Sequence, residues 1–81
     1  PGGGRRMTVA DLTDQFLAIL LREVGGTRRR WRNVLGPVKL YSASTHPHCN
    51  WSIAPGGEAD ENAAVERVAD RLRDKHPIVE G

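Results

Sequence analysis

Pro37-Val-Lys-Leu-Tyr-Ser-Ala43 and Cys49-Asn-Trp-Ser-Ile-Ala54 are the stretches on which the fold turns. In an extended chain Val38, Leu40 and Ser42 point one way, and Lys39, Tyr41 and Ala43 the other. Cys49, Trp51 and Ile53 likewise share a face, opposite Asn50 and Ser52. Two period-2 runs joined by the loop Ser44-Thr-His-Pro-His48 predict an antiparallel hairpin over residues 37–54. Its inner face is expected to hold Val38, Leu40, Cys49, Trp51 and Ile53. Its outer face is expected to leave Lys39, Tyr41, Asn50 and Ser52 open.

Upstream of the hairpin lies a well-signalled helix. Thr8 suits the N-cap, and Asp11 sits three residues on, where its carboxylate can reach back in capping-box fashion. Met7 and Leu12 have the spacing of a hydrophobic staple. Val9, Leu12, Phe16, Ile19 and Leu20 form one apolar stripe, widened by Leu17, Leu21 and Val24. Gly25-Gly26 supplies the stop. Downstream, Pro55-Gly56-Gly57 breaks the second strand. A second helix is expected over residues 58–75, starting near Asp60, with Ala64, Val65, Val68, Ala69 and Leu72 buried. Asp60 and Glu61 suit the positive end of its dipole, and Pro77 ends it. Ile78-Val79 then folds back onto the core.

Residues 27–35, Thr-Arg-Arg-Arg-Trp-Arg-Asn-Val-Leu, admit two readings. Trp31, Val34 and Leu35 have helical spacing, but the run is short and basic. The segment reads as a short strand leading into Gly36-Pro37, or as an irregular basic loop. The fold class is therefore α+β, in the order α-β-β-β-α or α-β-β-α. A small antiparallel sheet would carry two helices on one face. Residues 7–81 form the single domain, and residues 1–6 a flexible tail, with Met7 a candidate natural start.

Composition bounds what such a domain can do. The chain has 81 residues, 38% of them apolar and 5% aromatic. A domain this short buries roughly 60–65% of its unfolded surface, so a few large side chains must supply much of the core. Phe16, Trp31, Tyr41 and Trp51 are those side chains, and dimerisation is a natural supplement. Residues 1–41 carry eight Lys/Arg against three Asp/Glu, a net of +5. Residues 42–81 carry four against seven, a net of −3. Either the two halves attract each other, or the basic half faces an anionic partner. Cys49 is the only cysteine, which fits a reduced, cytoplasmic protein. The charges at Asp11, Asp14 and Glu23 exclude a membrane span or a signal peptide over residues 7–24. Asn50-Trp51-Ser52 matches a glycosylation acceptor by chance.

Three groups of residues bear on chemistry. His46, His48, Cys49 and, more distantly, His76 are soft donors, but their spacing matches no standard zinc site. Pro47 favours an extended backbone before it, which sends His46 and His48 to one side and Cys49 to the other. Cys49 lies on the apolar face with Trp51 and Ile53, where a thiol is expected to be an inert, small buried hydrophobe. No phosphate-cradling loop or nucleophile elbow is present. No catalytic residue, metal or cofactor is therefore expected. The basic run Arg28, Arg29, Arg30, Trp31 and Arg32, with Lys39, is the best lead toward nucleic acid. Guanidinium groups pair with phosphates, and an interleaved indole can stack on a base. The competing reading pairs those arginines with the acidic second helix and buries Trp31.

The α-β-β-β-α order is similar to that of the double-stranded-RNA-binding domain. That family needs a lysine-rich start to its second helix. Here the matching stretch is Gly56-Gly-Glu-Ala-Asp-Glu61, which repels phosphate, so the similarity extends to topology alone. The segments Gly36-Pro-Val-Lys-Leu-Tyr41, Thr45-His-Pro-His-Cys-Asn-Trp-Ser52 and His76-Pro77 resemble a group of small hypothetical proteins from alphaproteobacteria. The resemblance spans residues 30–79 and implies a bacterial cytoplasmic setting without a mechanism. The expected function is a small non-catalytic interaction module that binds a protein partner or a second copy of itself. The alternative is nucleic-acid binding through Arg28–Arg32. A membrane partner is not expected.

Overall fold

Thr8 starts the first helix as its sequence requires. Its Oγ1 accepts the Asp11 N–H at 3.1 Å, and its own N–H donates to the Asp11 carboxylate at 3.3 Å. In the computed structural model, which describes residues 7–81, this closes the capping box of α1, Val9–Glu23. The tail expected over residues 1–6 lies outside the described residues. Leu12, Phe16, Leu17, Ile19 and Leu20 are buried along one side of α1. Gly25 and Gly26 stop it at φ 97° and 87°, a region that side chains with a Cβ avoid.

Residues 28–35 are neither strand nor loop but a second helix, α2, Arg28–Leu35. Thr27 Oγ1 caps it by accepting the Arg30 N–H at 3.1 Å. Trp31, Val34 and Leu35 fall on one face and are buried, while the arginines point outward. A helix of eight residues is too short to hold itself in water, so packing of those three side chains decides the matter. The hairpin follows as β1, Lys39–Leu40, and β2, Trp51–Ser52, antiparallel, pairing Lys39 with Ser52 and Leu40 with Trp51. The third helix, α3, spans Ala59–Lys75 and buries Ala64, Val65, Val68, Ala69 and Leu72. The α+β class stands, in the order α1-α2-β1-β2-α3.

The core lies among the three helices, not under a broad sheet. The ladder contributes to it through Trp51, which is 2% exposed. Its ring meets Phe16 edge-on at 5.8 Å between centroids. Its Nε1–H donates to the His76 carbonyl at 2.9 Å. Val38, Cys49 and Ile53 pack half-buried at the margin, as their inner-face assignment implies. Leu40 departs from that assignment: it is 41% exposed, because the helices cover β2 and leave β1 at the rim.

Asn50 also departs from its expected place on an open face. It is buried, and its amide clasps Val79: Nδ2–H donates to the Val79 carbonyl at 2.7 Å, and Oδ1 accepts the Val79 N–H at 2.9 Å. The Asn50 N–H donates to the Pro77 carbonyl at 3.0 Å. The same terminal segment reaches α1, where Val9 N–H donates to Glu80 O at 2.8 Å and Glu80 N–H to Met7 O at 3.0 Å. Val79 is thus drawn into the core, and Ile78 beside it stays exposed. A glycosylated Asn50 is incompatible with this clasp. Among the described residues no helix is long and apolar enough to cross a membrane.

Gly56 and Gly57 fix α3 against α2. Gly56 N–H donates to the Val34 carbonyl at 2.8 Å. The Asn62 side chain bonds both ends of the Gly57 unit, accepting its N–H at 2.8 Å and donating to its carbonyl at 3.1 Å.

Two substitutions test this arrangement by urea unfolding. Asn50→Ala strips both partners from a buried Val79 peptide and is expected to cost about 2–4 kcal/mol, since each orphaned group costs roughly 1–3. An unchanged unfolding midpoint would contradict the clasp. A Cβ on Gly57 would lie 2.7 Å from Glu61 Oε1 and 2.8 Å from Val34 Cγ2. Gly57→Ala is therefore expected to destabilise by about 1–3 kcal/mol, and a neutral result would show that this contact relaxes freely.

Candidate functional site

Because α2 turns Trp31, Val34 and Leu35 inward, its four arginines lie on the outer side. Two of them are engaged. Arg28 Nη2 lies 2.8 Å from Asp14 Oδ1 of α1. Arg30 grips Glu61 of α3 with two parallel bonds, Nε to Oε2 at 2.9 Å and Nη2 to Oε1 at 2.6 Å. The Glu58 N–H adds a third donor to the Glu61 carboxylate at 2.8 Å. The Arg30 hydrogen bond, aided by the Glu58 N–H, holds the Glu61 pKa down at about 2, and Glu61 raises that of Arg30. Arg71 of α3 grips Glu23 of α1 in the same two-pronged way at 2.9 and 2.8 Å, which lowers the Glu23 pKa. Of these three pairs, Arg30–Glu61 joins the basic front of the chain to its acidic back.

Trp31 does not interleave with those arginines as a stacking platform. It is 4% exposed, and its Nε1–H donates to the Gly25 carbonyl at 2.6 Å. Arg29 and Arg32 are exposed, three positions apart, and form no ion pair among the described residues. Lys39 sits apart from α2 on β1, exposed, opposite Ser52.

The soft donors do not converge. His46 and His48 are exposed on the loop between the strands. The His46 ring stacks on Tyr41 at 4.5 Å, and its Nδ1 is 3.0 Å from Thr45 Oγ1. Cys49 is half-buried, with Sγ donating to the Trp51 carbonyl at 3.4 Å. His76 caps the far end of α3. Among the described residues no group of three or more His, Cys, Asp or Glu is gathered to hold a metal ion.

What the fold does leave open is the edge of β1. Lys39 and Ser52 are opposed in register, and Tyr41 N–H donates to the Asn50 carbonyl at 2.8 Å. Antiparallel pairing alternates, so Leu40 and Trp51 between them are a non-hydrogen-bonded pair. The N–H and C=O of Leu40 therefore point away from β2, and no described residue bonds them. Leu40 and Tyr41, at 41% and 38% exposure, flank that pair of groups. The Tyr41 ring is held by its stack on His46 and by a 3.2 Å bond between its hydroxyl and Ser52 Oγ. The period-2 pattern gave the hairpin; which strand is left at the rim depends on helix packing that the pattern does not encode.

Comparisons with family models, with curated proteins and with solved structures found no match to this chain.

The Arg30–Glu61 grip has a defined pH window. The folded-state pKa of Glu61 lies below its ordinary 4.5, so the pair stabilises the fold above that value and is lost as pH falls toward about 2. An NMR titration of the Glu61 carboxyl is expected to give a midpoint near 2, rising toward 4.5 in Arg30→Ala. A midpoint that does not move in Arg30→Ala would show that Arg30 is not the cause.

Proposed function

We propose that this chain is a small non-catalytic protein-binding module that accepts an extended partner segment on the open edge of β1. The observation that carries the reading is the outward pair of backbone groups on Leu40, set between exposed Leu40 and Tyr41 side chains. An unpaired strand edge is a template for another strand, and main-chain bonds supply the affinity while flanking side chains supply selectivity. Lys39 guards the edge against indiscriminate pairing. The nucleic-acid alternative has less support. Arg28 and Arg30 are neutralised by Asp14 and Glu61, and the indole of Trp31 is in the core. The setting in this reading is the cytoplasm, where a single thiol stays reduced.

Leu40→Pro provides the discriminating variant. Proline removes the outward N–H yet is tolerated on an edge strand, and the bonds of Lys39 and Tyr41 to β2 are untouched. The wild-type chain, titrated by NMR with a pool of capped hexapeptides alternating Thr and Val, is expected to shift amides at Lys39–Tyr41. Leu40→Pro is expected to weaken that response at least about tenfold, the loss of roughly one strong interaction. Equal shifts in the two proteins, or shifts confined to α2, would contradict the reading.

A further inference from the structure

The open edge of β1 has a property that singles out one occupant. Leu40 is centred on it, with Lys39 on one side and Tyr41 on the other. We propose that the edge is self-complementary and that a second copy of this chain pairs with it antiparallel, about a two-fold axis at Leu40. This rests on the edge reading above and names its partner.

The register follows from geometry. A symmetric dimer joins the same patch on both subunits, so the axis must pass through a residue that pairs with itself. Only a residue with N–H and C=O both facing outward can exchange two bonds with its own copy, and on β1 that residue is Leu40. Each Leu40 N–H then donates to the partner's Leu40 carbonyl. The two leucine side chains meet on the Trp51 side of the sheet. On the other side Lys39 lies opposite the partner's Tyr41, and Tyr41 opposite the partner's Lys39. An ammonium beside a phenol ring is favourable, whereas two lysines face to face are not. Centring the axis on Lys39 would make the two lysines a closely spaced non-hydrogen-bonded pair and so oppose like charges. The sequence around Leu40 thus favours one pairing and penalises its neighbour.

The contact is small. Two such short strands bury well below the roughly 1,200 Å² of a standard interface, so the dimer is weak and forms by mass action. Sedimentation equilibrium over micromolar to millimolar protein is expected to show the average mass rising from monomer toward dimer. Mixing labelled and unlabelled protein is expected to give intermolecular NOEs from Lys39 methylenes to the Tyr41 ring. Leu40→Pro should shift the dimerisation constant at least about tenfold toward monomer, and Lys39→Glu, which leaves the edge donors intact, should weaken it less. A protein that stays monomeric at millimolar concentration, while the hexapeptide pool still shifts Lys39–Tyr41, overturns the second copy and leaves the edge reading standing. Silence in both experiments removes the two together. A dimer whose intermolecular NOEs avoid Lys39, Leu40 and Tyr41 also overturns the proposal.

Discussion

The burial of Trp51 is the constraint on which this structure depends. A ladder of two residue pairs has no independent stability in water. Here it forms because one of its four residues is an indole driven between α1 and α3, edge-on to Phe16 and bonded to the His76 carbonyl. An aromatic side chain of this size contributes up to about 5 kcal/mol by burial. Once Trp51 faces inward, the pleat leaves no freedom. Ser52 faces outward, Lys39 is its hydrogen-bonded partner, and Leu40 is left with backbone groups aimed at solvent. A one-residue slip would expel the indole from the core. The chemistry of the edge is therefore a consequence of packing on the opposite strand.

The charge asymmetry of the chain is met inside the molecule at one point, Arg30–Glu61, and two further ion pairs join the helices. Arg28 to Asp14, Arg30 to Glu61 and Arg71 to Glu23 each tie one helix to another. Exposed pairs contribute little individually, but the two forked ones fix how α2 and α1 sit against α3. Two of the four arginines that look in sequence like a basic binding stripe, Arg28 and Arg30, are interhelical fasteners. Arg29 and Arg32 remain outside that set.

Much of the fold was legible because its signals are local. Thr8 and Asp11 announce their capping box by spacing alone, and Gly25-Gly26 announces its end. The alternation of Trp51 and Ile53 gave the hairpin and its inward face. α2 was not legible, because its first turn offers arginine where a helix favours acid, and three buried side chains outvote that local preference. Asn50 was misplaced for a related reason. Alternation assumes an open outer face, but the terminal segment returns from α3 and covers that position, making Val79 the partner of the amide. No short-range pattern links residue 50 to residue 79. Leu40 shares the face of Trp51 but not its place in the core, since being on the inner face does not place a strand under the helices.

The central claim is that Trp51 sets a register which leaves the Leu40 amide without a partner among the described residues. Residue-resolved hydrogen exchange in dilute solution, where only the free chain is present, reads it directly. The account predicts that the Leu40 N–H exchanges as an unprotected amide while Lys39, Tyr41 and Ser52 beside it are protected. A protected Leu40 flanked by fast-exchanging Lys39 and Tyr41 would mean the opposite register, and would contradict both the edge and everything built on it.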